Sequence, residues 1–267
     1  MTNGLPKAQV SGAGRFGRAA GRVAGRAVLA LGAAFALTTC GPGHGTDCLK
    51  STGSIITQRR EVARGLRVVT AFDNVDLTLV QDTATFAEVR AGENLIDDIT
   101  LTRKGNALEI GNSSRCNWVR SYDNPRQVTL HLPYVNSLFL RGTGNVSTAG
   151  EWRQDTIFFH LIGGGDFDLN VKATRVSLDC YEIGDVHLRG AADTFDFILG
   201  TEGRVFASGF TAKVCYFRLE RDSNGDAHVR ATEYLDGTVG GQGTLFYSGN
   251  PRAKLLRVTG KGRARQE

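Results

Sequence analysis

The sequence predicts an all-β fold, a solenoid whose rungs average about 20 residues, and three observations lead to it. A Gly-containing turn runs into a short alternating strand in Leu161-Ile162-Gly163-Gly164-Gly165-Asp166-Phe167-Asp168-Leu169, and the pattern recurs at 142–146, 183–186, 202–205, 224–227 and 242–245. Anchored on Gly144, Gly165, Gly184, Gly203, Gly225 and Gly243, the steps are 21, 19, 19, 22 and 18 residues, a period that marks stacked repeats. Between the turns, apolar and polar residues alternate with period 2, as in strands with one buried face. Beyond an apolar N-terminal segment, the only helical pattern in the 267 residues is a single turn near 94–98.

The N-terminal 39 residues hold Lys7, Arg15, Arg18, Arg22 and Arg26 and no acid. Removing these five of the 32 Lys and Arg residues leaves 27 basic against 27 acidic residues. The formal net charge of +5 therefore lies outside the folded part, and the clustered base of a nucleic-acid footprint is missing. The apolar run from Ala27 to Leu37 is shorter than the roughly 20 residues of a membrane span and fits a signal-peptide core. It ends in Leu37-Thr38-Thr39-Cys40, which resembles the lipobox of bacterial lipoproteins and implies diacylation of Cys40 and a membrane anchor. Thr39 departs from the Gly, Ala or Ser usual there. An ordinary secretory peptide and an Arg-rich transit peptide stay open as alternatives. Residues 1–39 are thus expected to be a signal peptide, and 40–51, with Gly41-Pro42-Gly43-His44-Gly45, a lipidated cysteine and flexible tether.

Four further cysteines follow. Cys48 and Cys116 flank the first half of the domain beside loop signals, so a bridge between them is expected, permitted by export and worth about 4 kcal/mol in loop entropy. Cys180 and Cys215 lie in apolar alternating strands and read as small buried hydrophobes, with a bridge between them left open. Strands are expected at 54–57, 67–70, 75–80, 87–91, 99–102, 107–110 and 127–132, with turns at Lys104-Gly105-Asn106 and Asp123-Asn124-Pro125.

Phe72-Asp73-Asn74-Val75-Asp76-Leu77-Thr78-Leu79-Val80-Gln81, Val89-Arg90-Ala91-Gly92-Glu93-Asn94-Leu95-Ile96 and Ala107-Leu108-Glu109-Ile110 resemble the GIN domain, the adhesin head domain common in exported proteins of Bacteroidetes-like bacteria. The segments from Cys48 to Gly53 and from Cys116 to Tyr122 look like parts of lipoproteins of that family, and the likeness runs from Cys48 to Gly249. It implies one GIN-type domain over 52–250, folded as a single-stranded right-handed parallel β-helix of pectin-lyase-like shape, with no established catalytic residues and a role in adhesion at the outer membrane or cell envelope. Trp118, Arg120 and Tyr122 could form an aromatic and basic contact patch, or Trp118 and the disulfide could plug one end of the core.

Within the rungs, alternation sorts residues into columns. Phe167/Leu169, Val186/Leu188, Val205/Ala207, Ala227/Val229 and Leu245/Tyr247 should point inward, as should Ile157/Phe159/Leu161, Val176/Leu178/Cys180, Phe195/Phe197/Leu199 and Cys215/Phe217/Leu219. Like residues would repeat every ~4.8 Å, each large side chain stabilising by about 1.5–3 kcal/mol, and the glycines are expected to supply positive φ at the corners. Outward, one column runs Asn145, Asp166, Asp185, Arg204, Asp226, Thr244. The next runs Ser147, Asp168, His187, Phe206, His228, Phe246.

Asp166, Asp168, Asp185 and His187 would therefore cluster, and they are the candidate site. Such carboxylates could take Ca²⁺, act as an acid/base pair on polysaccharide, or hydrogen-bond sugar hydroxyls. Alternatively, Asp and Asn beside Gly simply cap turn backbone, and the column is broken by Arg204 and Phe206. No G-x-S-x-G, H-E-x-x-H, P-loop or C-x-x-C occurs, so no catalytic constellation is visible. Residues 251–267 should make a last strand at 254–258 and a disordered basic tail. The expected function is non-catalytic binding of surface polysaccharide or protein, without nucleic acid and without a required cofactor. A carbohydrate-active enzyme or a structural envelope component are the alternatives.

Overall fold

A computed structural model describes residues 51–114 and 124–267. Two walls of parallel strands stack rung on rung. In chain order the strands are β1 (Ile55–Glu61), β2 (Val68–Ala71), β3 (Asp76–Gln81), β4 (Phe86–Gly92), β5 (Ile99–Lys104), β6 (Ala107–Asn112), β7 (Gln127–Leu132), β8 (Ser137–Leu140) and β9 (Val146–Thr148). There follow β10 (Trp152–Leu161), β11 (Phe167–Cys180), β12 (Val186–Leu199), β13 (Val205–Leu219), β14 (Ala227–Val239), β15 (Thr244–Ser248), β16 (Ala253–Val258) and β17 (Arg263–Gln266). The expected single turn is a 3-10 turn at Ile96–Asp98.

One wall stacks β6, β2, β8, the C-terminal half of β10 and the corresponding halves of β11 to β14, and ends on β16. The other stacks β7, β3, β9 and the N-terminal halves of β11 to β14, then β15 and β17. The register at the turns follows the sequence steps: Val146 pairs with Phe167, Phe167 with Val186, Val186 with Val205, Val205 with Ala227 and Ala227 with Leu245. Every residue assigned inward is buried, from Ile157 and Phe159 to Leu219 and Leu245. Cys180 and Cys215 are buried and free. They stand in different columns, Cys180 beside Leu199 and Cys215 beside Phe195, so no bridge joins them. Burial, aided by the charges of Asp185 and Asp166, pushes the Cys180 thiol up to about 12.

Three expectations need correction. The first half is not purely parallel: β4 runs antiparallel to both β1 and β7, and β5 antiparallel to β6. The cause at β5–β6 is the two-residue Gly105-Asn106 connection, with Lys104 paired to Ala107; so short a link can join only antiparallel neighbours. The basic tail is not disordered. Arg263–Gln266 is a strand that adds a further rung, pairing Thr244 with Arg263 and Tyr247 with Gln266, and Ala264 packs against the core.

The corner glycines are not there for positive φ, which among the described glycines occurs at Gly53, Gly65, Gly105, Gly150, Gly190 and Gly249. A Cβ on Gly165, Gly184, Gly203, Gly225, Gly243 or Gly262 would overlap the carbonyl oxygen of the corner glycine one rung before it. Backbone lies directly on backbone, and no side chain fits between.

The expected Cys40 anchor, the Cys48–Cys116 bridge and the Trp118, Arg120, Tyr122 patch lie outside the described residues.

The corner makes a sharp prediction. Gly165→Ala must displace backbone, and overpacking costs about 1–3 kcal/mol, occasionally more, a fall in Tm of about 2–12 °C for a domain of this size. Gly164→Ala meets nothing closer than 3.6 Å and should leave Tm within about 2 °C. Thermal unfolding followed by circular dichroism checks both.

Candidate functional site

The outward column beside the corner glycines is built from short acceptor side chains, and their job is visible in the hydrogen bonds. Asp76 Oδ1 accepts the Asn145 amide at 2.9 Å, Asn145 Oδ1 that of Asp166 at 3.0 Å, and Asp166 Oδ1 that of Asp185 at 2.8 Å. Asp185 Oδ1 continues to the Arg204 amide at 3.0 Å, and Asp226 Oδ1 accepts the Thr244 amide at 2.6 Å. Each side chain thus caps the backbone one rung on. Such caps satisfy amides that a tight corner leaves without a strand partner. Arginine has no acceptor, so the ladder lapses at Arg204 and resumes at Asp226.

Arg204 compensates in another way. Its guanidinium forks onto Asp185, Nε to Oδ1 at 3.2 Å and Nη2 to Oδ2 at 2.5 Å, which raises the arginine's pKa. Asp168 pairs with Arg189 at 2.8 Å. That pair is about half exposed on both sides, where solvent screening leaves well under 1 kcal/mol.

Of the four predicted site residues, Asp166, Asp168 and His187 line one open depression of about 480 Å³ together with Asn145, Ser147 and Arg189. Asp185 does not line it and is taken up by Arg204. Among the described residues, no group of three or more His, Cys, Asp or Glu side chains is arranged to hold a metal ion.

The second outward column contains what the sequence reading passed over. His187, Phe206, His228 and Phe246 form a continuous ring stack, with centroids 4.8, 5.8 and 4.6 Å apart and planes within 11°, 16° and 12°. Arg204 lies over Phe206 at 5.2 Å, and His228 Nδ1 meets Glu267 at 3.2 Å. The rung steps of 19, 22 and 18 already align these rings; treating Phe206 as a break in an acidic column concealed them.

A second groove, of about 370 Å³, lies on the other wall, lined by Asp179, Asp196, Tyr216, Arg218, Asp236 and Arg257 among others. Arg175 pairs with Asp196 at 2.7 Å and Arg257 with Asp236 at 3.4 Å. Burial, reinforced by the Asp196 charge, raises the Asp179 carboxyl. Its neighbour His160, 3.4 Å away, is lowered by burial and by Arg141. Both shifts favour neutral forms, so their contact is not a strong ion pair. Sequence reading did not pick out this groove, because it followed outward columns beside the turns and sorted only the inward residues of these strand halves.

Residues 66–251 match the protein family described as "Putative auto-transporter adhesin, head GIN domain". Among solved structures, the chain is similar to a putative adhesin from Bacteroides fragilis NCTC 9343, at 22% identity and a TM-score of 0.73, over 80% of this chain and 97% of the other. It is also similar to a putative lipid binding protein from Parabacteroides distasonis ATCC 8503, at 19% identity and a TM-score of 0.63, over 80% and 97% of the two chains. A putative adhesin from Parabacteroides merdae ATCC 43184 follows at 18% identity and a TM-score of 0.58, with the same coverage. At these identities the structural likeness shows the fold. No curated protein matches the chain.

The capping role of Asp166 is testable. Asp166→Asn keeps the Oδ1 acceptor and should change stability by less than about 0.5 kcal/mol. Asp166→Ala leaves the Asp185 amide without its partner and should cost about 0.5–1.5 kcal/mol, read as a lower urea midpoint at unchanged m-value.

Proposed function

Because the chain belongs to the family of the auto-transporter adhesin head GIN domain, we propose that it is a non-catalytic binding module, anchored at the cell envelope by lipid on Cys40, that holds surface polysaccharide or protein. One observation carries the choice of binding over catalysis. The outward carboxylates that looked available for chemistry serve the fold: Asp166 and Asp185 cap backbone amides, and Asp168 and Asp185 are paired with arginines. Glycoside cleavage needs two carboxyl groups facing each other across a bound sugar, and this column places Asp166 and Asp185 along a line, one oxygen of each turned to a backbone amide.

The proposed role suits the architecture. Backbone-on-backbone corners make a rigid prism, and a rigid scaffold presents a surface with little ordering cost on binding. The signal-like segment and Leu37-Thr38-Thr39-Cys40 support an exported, outer-membrane or surface location, since more than one acyl chain holds a protein firmly in a bilayer. A carbohydrate-active enzyme is the second reading. It is favoured by the raised Asp179 beside Asp196 in the groove of the other wall, the kind of carboxyl pair an acid catalyst uses.

Incubation of the purified protein with a polysaccharide panel separates the two. Retention on one or more polymers without new reducing or unsaturated ends is expected; new ends that disappear in Asp179→Asn would establish the enzyme instead. For the anchor, metabolic labelling with a fatty-acid analogue should mark the wild-type protein and not Cys40→Ala. A Cys40→Ala protein that keeps its label rules out lipidation at this cysteine.

A further inference from the structure

The ring stack has an unfinished end, and it opens into the depression beside Asp166 and Asp168. In a stack of parallel rings the inner faces are consumed by neighbours and only ring edges reach solvent, so the ladder as a whole offers no platform. Its two terminal faces are the exception. Beyond Phe246 the next position in register is Arg265, long enough to lie across a ring. Beyond His187 the next positions are Asp168 and then Ser147, both too short to cover the imidazole. The Asp168 carboxylate is moreover drawn to Arg189, and Ser147 Oγ is engaged with Thr78 Oγ1 at 3.3 Å. What remains against that face of His187 is part of the open depression of about 480 Å³, a slot set one inter-strand step, about 4.8 Å, from the next rung.

We infer that this slot is a subsite for one neutral pyranose ring, stacked on the free face of His187 with its hydroxyls toward Asn145, Asp166, Asp168 and Arg189. The inference rests on the binding role proposed above and gives it a site and a ligand class. The chemistry of the lining selects the occupant. One wall is an aromatic face, whose negative π surface attracts polarised C–H groups. The rim supplies two carboxylates, an amide and a guanidinium, which accept from and donate to hydroxyls arranged around a ring. A flat aromatic ligand would leave those polar groups unused, whereas a pyranose has a C–H face and a hydroxyl periphery and meets both. Asp166 has no ion-pair partner among the described residues, and Asp168 is matched by Arg189 alone, so the rim carries excess negative charge that repels uronic acids and other acidic sugars. Such a depression, partly apolar with a few convergent polar groups, is the general form of a small-ligand site.

The test uses the full chain on immobilised neutral polysaccharides (dextran, galactan, mannan, xylan and chitin oligomers) with polygalacturonate as the acidic comparison. Wild-type protein should bind at least one neutral polymer and bind polygalacturonate at least tenfold more weakly. His187→Ala removes the stacking face, and Asp168→Phe fills the slot by extending the ring ladder; each should weaken binding at least tenfold. Leu255→Ala, exposed on β16, should not change it. Circular dichroism melting of Asp168→Phe at or above the wild-type temperature shows that its loss of binding is not loss of fold. Wild-type binding that survives both His187→Ala and Asp168→Phe overturns the subsite and leaves the binding role intact. Wild-type protein that binds no neutral polymer overturns the subsite and the polysaccharide half of that role, leaving only protein adhesion.

Discussion

The outward columns from Asn145 to Phe246 are positioned by one contact at the corner of the rungs, the stacking of one glycine backbone on the next. Gly165, Gly184, Gly203, Gly225, Gly243 and Gly262 each lie so close to the preceding corner that a single methyl group would collide with a carbonyl. The contact leaves no slack, so the register at each corner is set by which glycine meets which. Once Gly165 sits on Gly144, Phe167 must pair with Val146 and Asp168 with Ser147. The inner columns of Phe, Leu and Val then close the core, and the outer columns of Asx residues and rings come into line without any further instruction. Irregularity is displaced elsewhere: the register shifts of the long strands fall between His187 and Gly190, and between Ala207 and Val214, away from the corner.

That dependence explains what could be read from the chain and what could not. The steps of 21, 19, 19, 22 and 18 residues between turn glycines are the observed pairings at the corner, and period-2 alternation correctly assigns the inner column from Phe167 to Leu245. The physical reason for the glycines was not legible, because close approach and positive φ both select glycine and differ only in three dimensions. The antiparallel start was concealed because β4 and β5 alternate like any strand, and only the two-residue link at Gly105-Asn106 hints at direction. The tail from Arg263 to Gln266 looked too charged to fold, yet Arg263, Arg265 and Gln266 stay exposed in this rung and only Ala264 is partly buried against the core.

The candidate site was legible as a neighbourhood and not as chemistry. Asp166, Asp168 and His187 do share a depression, as the column pattern requires. Sequence cannot say, however, that an Asp side chain turns to a backbone amide or to an arginine of the next rung, since that depends on distances of a few ångströms at the corner. Asp185 shows the difference plainly: it has the right spacing and the right charge, and Arg204 occupies both its oxygens. Conversely, Phe206 and Phe246 seemed to interrupt a polar column when they were completing an aromatic one. The resulting picture has most outward polarity serving the solenoid, leaving the unfinished ring stack as the place for a ligand.

The most direct measurement of that picture is a crystal structure of the protein bound to a neutral oligosaccharide it retains. The account predicts a sugar ring lying parallel to the His187 imidazole, in the rung of Asp168, with the Asp166-to-Asp185 and Asp185-to-Arg204 backbone caps unbroken. A saccharide seated in the groove of Asp179 and Asp196, or one that strips Asp166 and Asp185 from their amides to bind it, would contradict it.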